Sequence, residues 1–219
     1  MKTIVCYGDS NTWGFIPLKG QPELKDARFA WGERWTSRLQ DLLGGGYRVE
    51  EEGLNGRTTV FEDPVSPCRN GFAYLECCML VKTPVDLLVL MLGTNDTKER
   101  FGASAYCIAS GMDRLIQSIK GKGYGPGGKD PAILVVAPPP LRDNITETWL
   151  YGEFCKEDIA KSKAVPGEYQ KVAEQNGCLF LNAGDYVRFS ENDGIHLDKE
   201  NHAKFAEAVY NKIRNEKGI

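Results

Sequence analysis

Histidine is scarce in this chain: two among 219 residues, His196 and His202. No Cys-x-x-Cys pair stands beside them, so a zinc site lacks ligands, and no metal and no other cofactor is expected. Long apolar runs are missing too. None approaches the ~18 residues of a membrane span, so no membrane-spanning segment is expected. There is no basic stripe: the net charge is −3 and the Lys and Arg residues are scattered, which argues against a nucleic-acid partner. No complete Gly-x-x-x-x-Gly-Lys-Ser/Thr loop occurs, nor a Gly-x-Gly-x-x-Gly directly after a strand-like run, so nucleotide binding has no motif behind it. Internal repeats, low-complexity tracts and a dividing linker are absent, and one domain over residues 1–219 is expected. Only Lys2 and about five apolar residues precede Gly8, too few for a secretory signal. The cysteines number seven, an odd count. That fits free thiols in a reducing, cytoplasmic setting.

What is there reads as a soluble globular protein, 42% hydrophobic and 26% charged. Five strand-like runs recur. They are Ile4-Val5-Cys6-Tyr7, Tyr47 to Glu50, Val85 to Met91, Ala132 to Val136, and Cys178 to Leu181. The third and fourth are continuous and rich in branched residues, as strands covered on both faces must be. The Tyr47 run alternates with charges and is expected at an edge. Helical spacing of apolar residues predicts helices over 33–43, 105–120 and 203–213. A looser pattern covers 157–176, where Pro166-Gly167 is expected to interrupt or restart the helix. Strands alternating with helices predict an α/β fold of three layers, α/β/α, around a five-stranded parallel sheet with right-handed crossovers.

Two long irregular stretches break the alternation. Residues 13–31 carry Trp13, Phe15, Pro17, Pro22, Phe29 and Trp31; residues 138–154 carry Trp149, Tyr151 and Phe154. Aromatic loops at the carboxyl edge of a parallel sheet are where a ligand pocket is built. Loops that pack on each other or on another subunit fit the same pattern.

The turns after the strands open on one edge, so residues distant in sequence converge there. After the first run comes Gly8-Asp9-Ser10. A sharp turn there lifts the Ser10 hydroxyl clear of the sheet, as a nucleophile with a base in reach or simply as a helix cap. After the second comes Glu52 to Thr59, after the third Gly93-Thr94-Asn95-Asp96, and before the last helix Asp193-Gly194-Ile195-His196. Attack on an ester carbonyl puts charge on its oxygen, and each fixed donor aimed there is worth roughly 3 kcal/mol of barrier. The backbone N–H groups of Ser10 and Gly56 and the side-chain amide of Asn95 can be those donors. Imidazole titrates near neutrality, which suits His196 as base. Asp193 can fix its tautomer. Each part also has a structural reading: a turn glycine, a turn or cap pair, a solvated loop. His202, on the border of the last helix's apolar face, reads as packed or capping. Trp13 is a candidate pocket wall or simply packs under the loop; Arg57 could meet an acidic substrate but reads rather as a surface arginine.

Taken together, Gly8-Asp9-Ser10, Gly56, Gly93-Thr94-Asn95-Asp96 and Asp193-x-x-His196 resemble the four sequence blocks of the SGNH hydrolases, the GDSL esterases, in the family's order and over nearly the whole chain. The resemblance implies a flavodoxin-like fold, Ser10 as nucleophile, Asp193 and His196 completing a triad, and Gly56 and Asn95 as oxyanion donors. Residues 8–14 and 51–59 look most like the arylesterase and acyltransferase branch, which is associated with short acyl esters, acyl transfer to alcohols, and oligomers whose loops shape the pocket. Some members of that branch carry alanine where Gly56 stands. The expected protein is a serine esterase of short-chain acyl or aryl esters, acting on a small-molecule ester as a homo-oligomer. Alternatives are a carbohydrate O-acetylesterase of the same design and a non-catalytic flavodoxin-like binding module.

Overall fold

The computed structural model describes residues 1–20 and 27–216. Pro22, noted above in the first irregular stretch, lies outside the described residues. The first strand, β1, runs Lys2–Gly8 and is followed by a single helical turn, α1, Ser10–Trp13. Then come α2 (Trp35–Leu43), β2 (Tyr47–Gly53), α3 (Gly71–Lys82), β3 (Leu87–Met91) and α4 (Ala105–Ile119). The chain continues through β4 (Ala132–Ala137), α5 (Lys156–Asn176), β5 (Leu179–Asn182) and α6 (Lys199–Asn215).

All five strands are parallel, in the order β2-β1-β3-β4-β5. The charged strand β2 is at an edge, as its alternation predicts. Strand side chains alternate between two cores. Ile4, Cys6, Val89 and Val136 face Trp35 and Leu39 of α2 and Phe205 and Val209 of α6. Val5, Tyr7, Leu90 and Val135 face Leu75 of α3, Ile108 and Met112 of α4, and Val165 and Tyr169 of α5. With both faces buried, the central strands need the unbroken apolar runs seen in the sequence. The chain leaves β1 towards β2 on one side and reaches β3 on the other. A crevice therefore opens at the carboxyl ends of β1 and β3.

Two elements depart from expectation. Helix α5 runs unbroken through Pro166. Ile159, Ser162, Val165, Tyr169, Val172 and Ala173 are buried along one side of it. Packing of that face outweighs the lost hydrogen bond, as tertiary context does over intrinsic propensity. Helix α3 has no counterpart in the sequence reading. Phe72, Tyr74, Leu75, Cys78, Met79, Leu80 and Val81 put apolar groups all round it, so no single stripe marks it as a helix. Leu75 and Met79 are buried, while Tyr74, Leu80 and Val81 stay exposed.

Candidate active site

The nucleophile turn is set by close packing. A Cβ at Gly8 would lie 2.1 Å from Thr12 Oγ1 and 2.9 Å from the Met91 carbonyl, so only glycine lets β1 and β3 end this close together. Asp9 then caps α1, its Oδ1 accepting the Asn11 N–H at 2.9 Å. Ser10, the first residue of α1, is turned towards the loop after β5. Its Oγ is 2.9 Å from His196 Nε2. His196 Nδ1 is 2.8 Å from Asp193 Oδ2. The other Asp193 oxygen accepts the backbone N–H groups of Ile195 and His196, both at 3.1 Å. Asp193 is fully buried, and these three bonds fix the direction of its carboxylate.

Two neighbours fix the imidazole further. The Phe15 ring stacks on it, with centroids 4.3 Å apart. The Asn11 side chain spans it: Nδ2 donates to the Ile195 carbonyl at 3.1 Å, and Oδ1 accepts the Leu197 N–H at 2.9 Å.

A cavity of about 380 Å³ opens over these groups, lined by Ser10, Gly56, Asn95 and His196 among others. Gly56 has φ +78°, in a turn closed by the Arg57 N–H donating to the Leu54 carbonyl. Among the described residues, neither the Ser10 N–H nor the Gly56 N–H bonds a backbone carbonyl. Asn95 Nδ2 donates one hydrogen to the Arg57 carbonyl at 3.1 Å, which orients the amide and leaves its second hydrogen unspent. Behind it, Asp96 Oδ1 accepts both the N–H and the hydroxyl of Thr59. Burial pushes the Asp96 carboxyl up to about 6, while the Thr59 bonds pull the other way. The arrangement thus presents a hydroxyl against a carboxylate-backed imidazole, with three residues that carry unspent N–H donors lining the same cavity. That is the equipment of acyl transfer.

Residues 6–204 match the GDSL-like lipase/acylhydrolase family. The chain belongs to that family. Est24, a carbohydrate acetylesterase from Sinorhizobium meliloti, is 38% identical, with a TM-score of 0.87 over 98% of this chain and 99% of that one. An aryl esterase from M. smegmatis is 35% identical, with a TM-score of 0.86 over 98% of this chain and 99% of that one. An acetylxylan esterase from Xylanibacter ruminicola is 27% identical over 96% of this chain, which spans 43% of that protein's length. Family membership sets aside the non-catalytic binding module.

In this GDSL-family acylhydrolase, three of the sequence readings need correction or completion. Trp13, expected as a pocket wall, lies outside the cavity lining. The single turn α1 ends there, and the Phe15 N–H returns to the Ser10 carbonyl at 3.0 Å. That reversal swings Phe15 over His196 and leaves Trp13 facing the Arg28 guanidinium, 4.9 Å from its ring centroid. Arg57 is buried rather than on the surface. Its guanidinium lies over Tyr7 at 4.1 Å and donates to the carbonyls of Gly8 and Glu52, tying together the ends of β1 and β2. His202 both packs and caps: its Nδ1 accepts the Trp35 N–H at the start of α2, 3.2 Å away, and its ring meets Phe29 edge-on.

The aromatic loops contribute Phe15, Trp149 and Phe154 to the cavity, whereas Trp31 and Tyr151 remain exposed. The clamp of Asn11 on the His196 segment escaped sequence reasoning. Its one trace was adjacency to Ser10, since a bond spanning 186 positions has no local pattern. Among the described residues, no helix is long and apolar enough to cross a membrane, and no cluster of three potential metal ligands occurs.

Proposed function

We propose that the protein is a serine esterase of small acyl esters, working through Ser10, His196 and Asp193. His196 Nε2 accepts the Ser10 proton as Oγ attacks the acyl carbon. Asp193 holds the Nδ1 proton and stabilises the imidazolium that forms. Negative charge on the carbonyl oxygen is met by the N–H groups of Ser10 and Gly56 and the amide of Asn95. His196 returns the proton to the leaving alcohol, and an acyl-Ser10 ester remains. Water, or another alcohol, then releases the acyl group by the same steps in reverse. The observation that carries this reading is the continuous chain Ser10 Oγ to His196 to Asp193, with both links under 3 Å.

Likeness to the M. smegmatis aryl esterase supports aryl or short-chain esters as substrates. A second reading, an O-acetylesterase of carbohydrates, draws support from the likeness to Est24 and to the acetylxylan esterase. Comparing turnover of acetylated sugars with that of aryl acetates separates the two. The reading includes a homo-oligomer, supported by the apolar residues Tyr74, Leu80 and Val81 exposed on α3. It also includes a reducing, cytoplasmic setting, supported by seven unpaired cysteines.

The test is hydrolysis of p-nitrophenyl acetate by the parent and by Ser10→Ala. Loss of the nucleophile is expected to lower kcat by about 10⁴-fold or more. Full activity in the variant overturns the proposal.

A further inference from the structure

The cavity over Ser10 carries charges that acyl transfer does not use. Arg69, Lys98 and Glu153 all line it. Glu153 is the one acid among those lining residues, and its carboxylate is held twice, by Lys98 Nζ at 2.7 Å and by Arg100 Nη2 at 2.8 Å. Arg100 reaches on to Asp63 at 3.3 Å. Arg69 stands apart from this network. Among the described residues its one hydrogen bond runs from Nη1 to the Pro67 carbonyl at 3.3 Å, and no carboxylate of those residues pairs with it. Yet it sits close to the reacting centre. A Cβ at Gly56 would lie 3.2 Å from Arg69 Nε and 3.3 Å from its Cδ, so the side chain leans over the turn carrying the Gly56 N–H.

A guanidinium presents a planar fork that matches a carboxylate with two parallel hydrogen bonds. Among the described residues Nε and Nη2 make no hydrogen bond, the aromatic side chains of Phe15, Trp149 and Phe154 line the same cavity, and its one lining acid, Glu153, is already paired with two cations. From this geometry we propose that Arg69 is a specificity residue which receives a carboxylate carried by the ester substrate. The inference rests on the reading of Ser10 as nucleophile. The carboxylate can belong to the acyl group, as in a dicarboxylic half-ester, or to the alcohol, as in an acidic sugar or hydroxybenzoate. Both put the same anion in the same cavity.

Two matched pairs of esters test this and tell the sources apart. The first pair is mono-p-nitrophenyl glutarate against p-nitrophenyl acetate, with the charge on the acyl side. The second is 4-acetoxybenzoate against its methyl ester, with the charge on the leaving side. The readout is the ratio of kcat/KM, anionic over neutral, for the parent, Arg69→Gln and Arg69→Lys. Arg69→Gln is expected to cut that ratio in at least one pair by about 10- to 100-fold, mainly through KM, as loss of a charge-assisted bidentate contact does. Arg69→Lys, which keeps the charge, is expected to cut it by about fivefold or less. The pair that responds identifies the side bearing the carboxylate. The proposal is overturned if both ratios stay within about threefold of the parent's, or if Arg69→Gln slows all four esters equally, as a general contribution to the oxyanion does. Failure of the nucleophile reading shows up separately, as activity retained by Ser10→Ala on p-nitrophenyl acetate.

Discussion

Asn11 Oδ1 accepts the Leu197 N–H at 2.9 Å, joining the residue after the nucleophile to the residue after the base. The same side chain donates to the Ile195 carbonyl, so the backbone on both sides of His196 is pinned to α1. Two loops from opposite ends of the chain thereby keep Ser10 and His196 at hydrogen-bond distance. Asn11→Ala removes both bonds and leaves a buried donor and acceptor unpaired, which costs about 1 to 3 kcal/mol each before relaxation. The expected result is kcat reduced about 10- to 100-fold on p-nitrophenyl acetate with little change in KM, because misplacing reacting groups by an ångström costs on that scale. Chemical unfolding should show a parallel drop in stability. A variant with normal kcat contradicts the clamp.

Gly56 and Asn95 offer different kinds of donor, and substitution separates them. Asn95→Ala deletes the amide, and the expected loss is about 10²- to 10³-fold in kcat. Gly56→Ala keeps its N–H. Its φ of +78° makes an alanine strained by about 1 to 2 kcal/mol. The heavy atoms nearest the new methyl belong to the long, flexible Arg69 side chain, the closest being Nε at 3.2 Å, so the contact can be relieved by a small shift of that chain. A loss of stability of that size, with kcat within about tenfold of the parent, is therefore expected, since the backbone donor survives. Steady-state kinetics on the two variants side by side measure the contrast.

The legibility of this chain follows the range of its interactions. Strands and their order of burial were readable because a two-sided parallel sheet demands continuous apolar runs, which Leu87–Met91 and Ala132–Ala137 are. The meeting of Ser10, Asn95 and His196 at one cavity was readable because each lies in a segment after a strand, and parallel topology brings those ends together. Helix α3 was not, because its apolar residues surround it. Pro166 misled because its local penalty is visible in sequence and the packing of Val165 and Tyr169 is not. Trp13 and Phe15 sit two residues apart in the same loop. The half-turn that aims one at His196 and the other at Arg28 is decided by backbone bonds back to Ser10, which composition does not encode. Arg57 looked like surface charge because arginines mostly are. Here carbonyls and an aromatic face replace its water.

Asp96 makes a prediction about pH. Its folded carboxyl is raised to about 6 by burial, above an ordinary value of 3.8. As pH rises from 3.8 to 6, the unfolded chain releases this proton while the folded protein keeps it. The group's contribution to stability is therefore full below that window and is lost across it, by about 3 kcal/mol in total. Asp96→Asn does not titrate, and its carbonyl can still accept the Thr59 donors. Urea unfolding at pH 3.5 and pH 7.5 should show the variant gaining on the parent by about that amount between the two. An unchanged difference contradicts the assignment. Activity follows separately: a fall in kcat without a change in KM is expected wherever the Thr59 contacts loosen, since they brace the turn carrying Asn95.

His202 makes the opposite prediction. Burial pulls its imidazole down to about 3, against the pull of Asp198, which favours the charged form. The neutral ring accepts the Trp35 N–H, which protonation of Nδ1 forbids. The sign is that of a group whose folded value is depressed: its stabilisation is complete above pH 6.5 and drains away as pH falls towards 3. The slope approaches about 1.4 kcal/mol for each pH unit inside that window. His202→Asn keeps an acceptor near Trp35 without a titrating ring, at the cost of the packing against Phe29. It should be the less stable protein at pH 7.5, with the gap narrowing by about 2 to 3 kcal/mol at pH 4.5. The Asp96 variant shifts the other way over an overlapping range, so the double variant should show the two slopes largely cancelling. Sites in separate elements add in this manner. A gap for His202→Asn that is constant from pH 7.5 to 4.5 means the ring takes up its proton in the folded protein just as in the unfolded chain, and its capping of α2 through a neutral Nδ1 is then wrong.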